Sequence, residues 1–477
     1  MRATAPDERP VVLTVAGSDS GGGAGIQADV KTIEATGGFA TSVVTSVTAQ
    51  HTRGVESTHV LPVAEVRAQL DAVFDDFDVR AVKTGMLATA EIVDCVAERA
   101  RETDVPFVVD PVMVAASGDR LLEPAAEDAY RDLLAAATLV TPNADEAAVL
   151  TGIDPDDEAD LRRVGERLVA DGAEAALVKG GHVDGDPVTD VLVRGAERGN
   201  AADGGGGSDG GEGGGTTGRE DDGGERDRTV VETVSHERVD TDATHGSGCT
   251  LSSSIAARLA GGATLSAAVA GGIDHVARAV RYPLAVGRGP GAVHHTVELR
   301  DEGARERTRE ALVAVRESEP FAAVGESVAV ATPYAESPAG VVSAVDDGIA
   351  GDNRALESGG DDVGVVFGRE TPVVDALLAA RERAPTLRVA VTVTHEGDVT
   401  TAVDTLGWET VSVEGSDETG DTLADSGMAA GDGTGAPHAV RLGGDESPAV
   451  VVVAPDSERL HERLTALVEA ADSRREP

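Results

Sequence analysis

Short apolar runs alternate with amphipathic stretches through the first 180 residues. Residues 11–16, VVLTVA, are apolar without polar alternation, as a parallel strand buried on both faces would be, and Gly17 closes the run. After a glycine-rich turn, Ile26, Val30 and Ile33 recur at helical spacing until Gly37-Gly38 stops the segment. The same alternation predicts strands at 42–47, 81–84, 107–110, 139–141 and 176–179, with helices near 63–73, 90–101, 123–136 and 158–171 between them. Such a succession predicts an α/β fold with a mostly parallel sheet covered on both faces.

Two stretches break the pattern. Residues 203–224 hold twelve glycines in twenty-two positions and no large apolar side chain, a composition that cannot bury a core. Their flanks, 188–193 and 229–234, read as strands, so the insertion near 195–228 is expected to be a disordered extension of a hairpin loop. A second disordered loop is expected near 415–436. The charged run at 301–319 reads as a linker helix, and a new apolar strand follows at 327–331. The chain is therefore divided into a first domain at 1–300, a linker at 301–319 and a second, smaller α/β domain at 320–477. Within the latter, 368–377 and 387–394 read as a helix and a strand, with a further helix around Leu406-Gly407-Trp408.

Charge changes the picture. Forty basic against 85 acidic residues give a net charge of −45, which disfavours both a nucleic-acid backbone and an anionic membrane as partners. Only Lys31, Lys83 and Lys179 are lysines; the other basic residues are arginines. An acidic, lysine-poor chain with 2% aromatics is what a cytosol of molar salt would select, since the Debye length there is about 3 Å and self-repulsion is screened. A haloarchaeal source is expected on that reading; a GC-rich genome that favours arginine codons is the alternative. Two cysteines, Cys95 and Cys249, are too few for a disulfide framework and suit a reducing compartment. The N-terminus lacks the apolar core of a signal peptide, and no apolar run approaches the ~18 residues needed to cross a bilayer, which places the protein in the cytoplasm.

The chain has no Gly-Lys dipeptide, which excludes a Walker-type phosphate loop, and in GSDSGGGAG (17–25) Ile26 stands where a dinucleotide fingerprint needs its last glycine. That turn suits either close approach of a small ligand or a plain tight turn. A stronger signal is Thr244-His245-Gly246-Ser247-Gly248-Cys249-Thr250, directly before a helical stretch of small residues. Glycines at a helix N-terminus free N–H groups that bind an anion, and the same field is expected to lower the Cys249 thiol pKa and make it a base or nucleophile. The competing reading is that Thr250 caps a helix and Cys249 is a small buried apolar residue. In Thr141-Pro142-Asn143-Ala144-Asp145-Glu146, Asn143 and Glu146 stand three apart, so their oxygens can converge on a hard cation or form a capping box. Asp110 in VVDPVM and Lys179 in VKGGH are charged groups at strand ends, where α/β proteins bind ligands.

In this order and at these intervals, AGSDSGGGAGIQADVKT, VTAQHTRGV, VKTGML, VVDPVM, TPNADEA, VKGGH and THGSGCT, closed by GPGAVHH at 289–295, resemble the hydroxymethylpyrimidine and phosphomethylpyrimidine kinases of thiamine biosynthesis, in the ribokinase superfamily. The resemblance covers roughly residues 10–299 and implies a ribokinase-like three-layer α/β/α domain. It further implies two phosphorylations by ATP with Mg²⁺, the first of the hydroxymethyl group and the second of the resulting phosphate, in a possible homodimer. By the same resemblance Cys249 is the base or orienter for the substrate hydroxyl, and Gly246, Ser247 and Gly248 form the anion hole. Asn143 and Glu146 match the magnesium element. Lys179, Asp110 and Thr244 contact the ATP phosphates, and Gly17, Asp29, Gln50 and Met86 hold the aminopyrimidine ring. A pyridoxine-type vitamin kinase and a thiamine-phosphate-sensing regulator are the alternatives; Gln50 and Met86 favour the pyrimidine.

Residues 320–477 are similar to the archaeal-type thiamine-phosphate synthase domain. That family shows a Ser-Ser-His helix start where this chain has Glu370-Thr371-Pro372, and an Asn-x-Arg strand where it has Thr392-Val393-Thr394. Without that arginine a pyrophosphate lacks its counter-charge, so a module that binds a thiamine-pathway phosphate is expected rather than a synthase.

Overall fold

The computed structural model describes residues 9–113, 126–183, 187–195, 229–345, 365–393, 399–413, 436–442 and 449–473. The insertion expected near 195–228 and the loop expected near 415–436 therefore fall, but for their edges, outside the described residues. The chain forms two compact units, Met1–Glu298 and Leu299–Pro477.

The first unit follows the order β1 (Val11–Ser18), α1 (Gly25–Ala35), β2 (Phe39–His51), β3 (Gly54–Val60), α2 (Val63–Asp76), β4 (Val79–Thr84), α3 (Ala90–Arg101), β5 (Phe107–Val109), α4 (Ala126–Leu134), β6 (Leu139–Val140), α5 (Ala144–Thr151), α6 (Glu158–Ala170), β7 (Ala175–Val178), β8 (Val188–Gly195), β9 (Thr229–His236), α7 (Ser247–Ala260) and α8 (Leu265–Arg281). Nine strands make one sheet in the order β3-β2-β1-β4-β5-β6-β7-β8-β9. It is parallel from β2 to β7 and antiparallel at both edges, where β3 pairs with β2 and the β8–β9 hairpin closes the far side.

Side chains of one strand alternate between two cores. Leu13 and Val15 of β1 pack with Leu70, Val93, Leu133 and Leu161 on one face, whereas Val12 packs with Ile33, Leu251, Ile255 and Val269 on the other. Both faces of the sheet are thus sealed by helices, which is why its strands read as unbroken apolar runs. The hairpin strand β3, GVESTHV, carries no such run and is not predicted by the pattern.

The second unit contains α9 (Val297–Arg316), which begins in the first, then α10 (Glu319–Val324), β10 (Gly325–Ala331), β11 (Val341–Val345), β12 (Val365–Phe367), α11 (Pro372–Arg383), β13 (Val389–Val393), α12 (Val399–Thr405), β14 (Thr410–Val413), β15 (Ala439–Leu442), β16 (Ala449–Ala454) and α13 (Ser457–Asp472). Its seven strands run in the order β12-β11-β10-β13-β16-β15-β14, antiparallel except between β14 and β15. The run expected as a linker helix is more than a spacer: Leu312 and Val315 of α9 are buried in this unit's core with Leu460 and Leu464 of α13. The helix around Trp408 lies earlier than expected, ending at Thr405.

Candidate active site

Every parallel strand of the first unit delivers its carboxyl end to one cavity of about 700 Å³. Gly17 and Ser18 come from the end of β1, Met86 from beyond β4, Asp110 from just beyond β5, Asn143 and Glu146 from beyond β6, and Lys179 from just beyond β7. The turn Thr244–Cys249 reaches the same space from the start of α7, and Gln50 from β2. Of the residues predicted for the site, Asp29 alone does not line this cavity.

Asp29 is fully buried in α1. Its Oδ1 accepts from Lys83 Nζ at 2.8 Å and Ser253 Oγ at 2.9 Å, and its Oδ2 accepts from Thr14 Oγ1 at 2.6 Å. These three bonds tie it to β1, β4 and α7, and it supports the residues that line the cavity without lining it. Lys83, which Asp29 holds, does line the cavity. Burial pulls its ammonium down, but the Asp29 carboxylate together with Asp110 and the nearby Cys249 keeps it above the ordinary lysine range.

At the opposite end, Lys179 Nζ donates to Asp110 Oδ1 at 3.2 Å and lies 3.8 Å from Glu146 Oε2, while Thr141 Oγ1 donates to Asp110 Oδ1 at 3.1 Å. Asn143 and Glu146 form the capping box: Glu146 N–H donates to Asn143 Oδ1 and Asn143 N–H to Glu146 Oε2, both at 2.9 Å. The box does not exclude a cation, because it fixes Glu146 beside Asp110. Burial pushes the Glu146 carboxyl up to about 7, against the pull of Lys179 and with Asp110 adding repulsion. Above about pH 7, where Glu146 is ionised, the two carboxylates outweigh the one ammonium, a donor set that fits Mg²⁺ held by one or two carboxylates, waters and substrate phosphates. Asp110 and Glu146, more than Asn143, are the groups with charge to hold it. No cluster of three or more acidic, His or Cys side chains poised as an all-protein metal cage occurs among the described residues.

The turn before α7 brings anion-binding donors to this cluster. A Cβ placed on Gly248 would lie 3.4 Å from both Asp110 Oδ2 and Lys179 Nζ. Gly246 caps the helix at φ +87°, and a Cβ there would meet the Gly23 carbonyl. Ser247 N–H is spent on the Thr244 carbonyl at 3.1 Å, so the first-turn donors left facing the cavity are those of Gly248 and Cys249. The expected lowering of the Cys249 thiol is corrected: burial pushes it up to about 11, because Lys83 and the Gly25 N–H pull it down less than burial and the carboxylates of Asp29 and Asp110 raise it. On the β1–β4 side of the cavity, Gly17 approaches Met86 so closely that a Cβ would lie 2.5 Å from its Cε. Gln50 Nε2 lies 3.5 Å from His245 Nε2, which in turn is 3.2 Å from Asp19 Oδ2.

Sequence reasoning missed Lys83, Asp19 and His245. Asp19 accepts from the N–H groups of Gly21, Gly23 and Ala24 at 2.7–2.9 Å and so shapes the glycine loop; burial would raise its carboxyl, but these bonds and His245 hold it below the ordinary range. A signal for Lys83 existed in the composition. All three lysines of the chain serve this region: Lys83 and Lys179 line the cavity, and Lys31 Nζ donates to the Gly22 carbonyl of the glycine loop at 2.7 Å.

The phosphomethylpyrimidine kinase family model matches residues 19–204 and 209–294, more than half the chain. The chain belongs to that family. Its first unit is a phosphomethylpyrimidine kinase, and the thiamine-phosphate synthase ThiN family model matches residues 307–465 of the second. Among relatives of the kinase, the hydroxymethylpyrimidine/phosphomethylpyrimidine kinase of Streptomyces coelicolor is 45% identical over 293 residues, covering 61% of this chain and 96% of that one. The thiamine biosynthesis bifunctional protein ThiED of Geobacter sulfurreducens is 41% identical over 299 residues, covering 62% of this chain and 54% of its own. In structure, Bacillus subtilis pyridoxal kinase, solved as an ADP complex, matches at a TM-score of 0.51 and 28% identity over 61% of this chain and 98% of that one. The three-layer kinase unit is thus ribokinase-like. Among the described residues no helix is long and apolar enough to cross a membrane.

Proposed function

We propose that the kinase unit transfers the γ-phosphoryl group of ATP first to the hydroxymethyl oxygen of 4-amino-5-hydroxymethyl-2-methylpyrimidine and then to the phosphate so formed, giving the diphosphate. The observation that carries this reading is the convergence of Lys179, Asp110, Glu146 and the Gly248–Cys249 turn at one end of a cavity whose other end presents Gly17, Gln50 and Met86. Phosphoryl transfer asks for positioning and fixed charge more than covalent chemistry.

The acceptor oxygen bonds to the γ-phosphorus, the bridging P–O bond of ATP breaks, and ADP leaves with that electron pair. Lys179 contacts the departing phosphates, and the N–H groups of Gly248 and Cys249 face the three equatorial oxygens. Asp110 and Glu146 would hold the magnesium ion that accompanies ATP, which shields the phosphate charge; in a chain of net charge −45 that shielding matters. Cys249, a neutral thiol, orients the hydroxyl in the first transfer, and the hydroxyl proton leaves with the transferred phosphoryl oxygens to solvent as the new O–P bond forms. In the second the acceptor is already an anion and gives up no hydroxyl proton, so the thiol has less to do. Gly17 lets the ring lie against backbone, and Gln50 offers a donor and an acceptor to its polar edge. This pattern favours the pyrimidine over pyridoxine.

In the second unit Thr371 and Pro372 open α11 after Glu370, and no arginine stands at the end of β13, so we assign this unit to binding a thiamine-pathway phosphate, without synthesis. The enzyme acts in the cytoplasm, at high salt. The test is Lys179→Met in the full chain: the KM for ATP rises by about tenfold or more, the worth of one charged hydrogen bond, with the pyrimidine KM little changed. An unchanged KM for ATP would remove Lys179 from the nucleotide site. Thiamine phosphate formed by the full chain from the pyrimidine diphosphate and thiazole phosphate would overturn the assignment of the second unit.

A further inference from the structure

The segment Gly289–His295 closes the kinase unit, yet none of its residues has a role in the chemistry above. It carries two of the three buried histidines packed near α7: His294 and His295, each 2% exposed, with His275 of α8 fully buried. Thr250 Oγ1 lies 2.9 Å from the Gly246 carbonyl, which also accepts the Thr250 N–H at 2.9 Å, and 2.9 Å from His295 Nδ1, so one hydrogen bond joins the hydroxyl to the imidazole. Val293 N–H donates to the His245 carbonyl at 3.2 Å, and His275 Nε2 donates to the His295 carbonyl at 3.1 Å. A Cβ on Gly246 would lie 3.0 Å from His295 Cε1, so the ring also bears on the cap residue itself.

We infer that His295 is a positioning residue for phosphoryl transfer: through Thr250 it fixes the left-handed Gly246 turn, and so aims the N–H groups of Gly248 and Cys249 at the transferred group. The inference rests on reading that turn as the anion hole. The left-handed cap is bonded through its carbonyl to the Thr250 N–H and hydroxyl, and the Gly23 carbonyl and the His295 ring stand where a Cβ on Gly246 would be. Burial keeps His295 neutral, its pKa depressed to about 3, with Lys31 and the neighbouring histidines acting in the same direction; the link therefore persists across the working pH range. A donor aimed wrongly by a fraction of an ångström loses stabilisation in the transition state while substrate binding, set at the other end of the cavity, is untouched.

The test uses the full chain with ATP and the pyrimidine. His295→Leu removes the hydrogen bond to Thr250 and should lower kcat at least tenfold with the pyrimidine KM changed less than twofold. His295→Asn, whose amide can hydrogen-bond from the place of Nδ1, should restore most of kcat. Thr250→Val breaks the same link from the other side, and the double variant His295→Leu/Thr250→Val should be no worse than the poorer single one. Unchanged kcat in both His295→Leu and Thr250→Val would overturn the inference, as would multiplying losses or a His295→Asn variant as impaired as His295→Leu. Gly248→Ala, which places a methyl in the seat beside Asp110 and Lys179, separates the two levels. If it leaves kcat intact, the anion-hole reading fails; if it lowers kcat while the His295 variants do not, only the positioning role fails.

Discussion

At a helix N-terminus a thiol ordinarily ionises early, because the dipole and free N–H groups favour the thiolate. Cys249 has both, yet its surroundings reverse the outcome: burial and two carboxylates, Asp29 and Asp110, outweigh Lys83 and the Gly25 N–H, and the thiol is pushed up to about 11. The sign is clear. A raised thiol pKa means the neutral form persists through neutrality, and reactivity grows with pH until about 11. In a Cys95→Ser background, alkylation of Cys249 by iodoacetamide at pH 7.5 should be about 100-fold slower than that of an ordinary thiol and climb tenfold per pH unit. A rate that levels off near pH 8 would contradict this. The motif THGSGCT marked Cys249 for the site, but its protonation state depends on groups brought from α1 and β5, which no local pattern contains.

The elements around the site are tied together by one buried group. Asp29 of α1 accepts from Thr14 of β1, Lys83 of β4 and Ser253 of α7. Removing one partner of a buried ion pair leaves the other charge unpaired, so Asp29→Asn should lower the free energy of unfolding by about 3–5 kcal/mol in a urea titration. If stability is unchanged and the pyrimidine KM rises, Asp29 faces substrate after all. The amphipathic pattern of α1 held the clue, since Asp29 falls on the buried stripe with Ile26 and Ile33. The parallel strands were legible because helices bury both their faces. Strand β3, half solvated at the edge, was not, and neither was the packing role of α9, whose buried Leu312 and Val315 are interspersed among charges. At the site, the pattern located the glycine turns and Lys179; Asn143 and Glu146 form the capping box, whose Glu146 Oε2 lies 3.8 Å from Lys179 Nζ.

For the whole molecule, a net charge of −45 sets the conditions under which it folds. Like charges repel over a Debye length of about 10 Å at 0.1 M salt and about 3 Å at 1 M. The melting temperature should therefore rise steeply between 0.1 and 2 M KCl. Equal stability in dilute buffer and in molar KCl would refute adaptation to high salt and leave codon bias as the source of the arginine excess. On the proposed function the same repulsion acts on ATP, and the two cavity lysines, the N–H groups of α7 and a divalent cation would offset it.

The most direct measurement is phosphate transfer from ATP in molar KCl with Mg²⁺, offering hydroxymethylpyrimidine, its monophosphate and pyridoxine in parallel. We predict that both pyrimidines are consumed, in sequence, and pyridoxine far more slowly; in Cys249→Ala the first transfer falls more than the second. Turnover of pyridoxine alone would make the substrate assignment wrong on an intact kinase fold, and no turnover of any of the three would contradict the assignment of this cavity as the place of transfer.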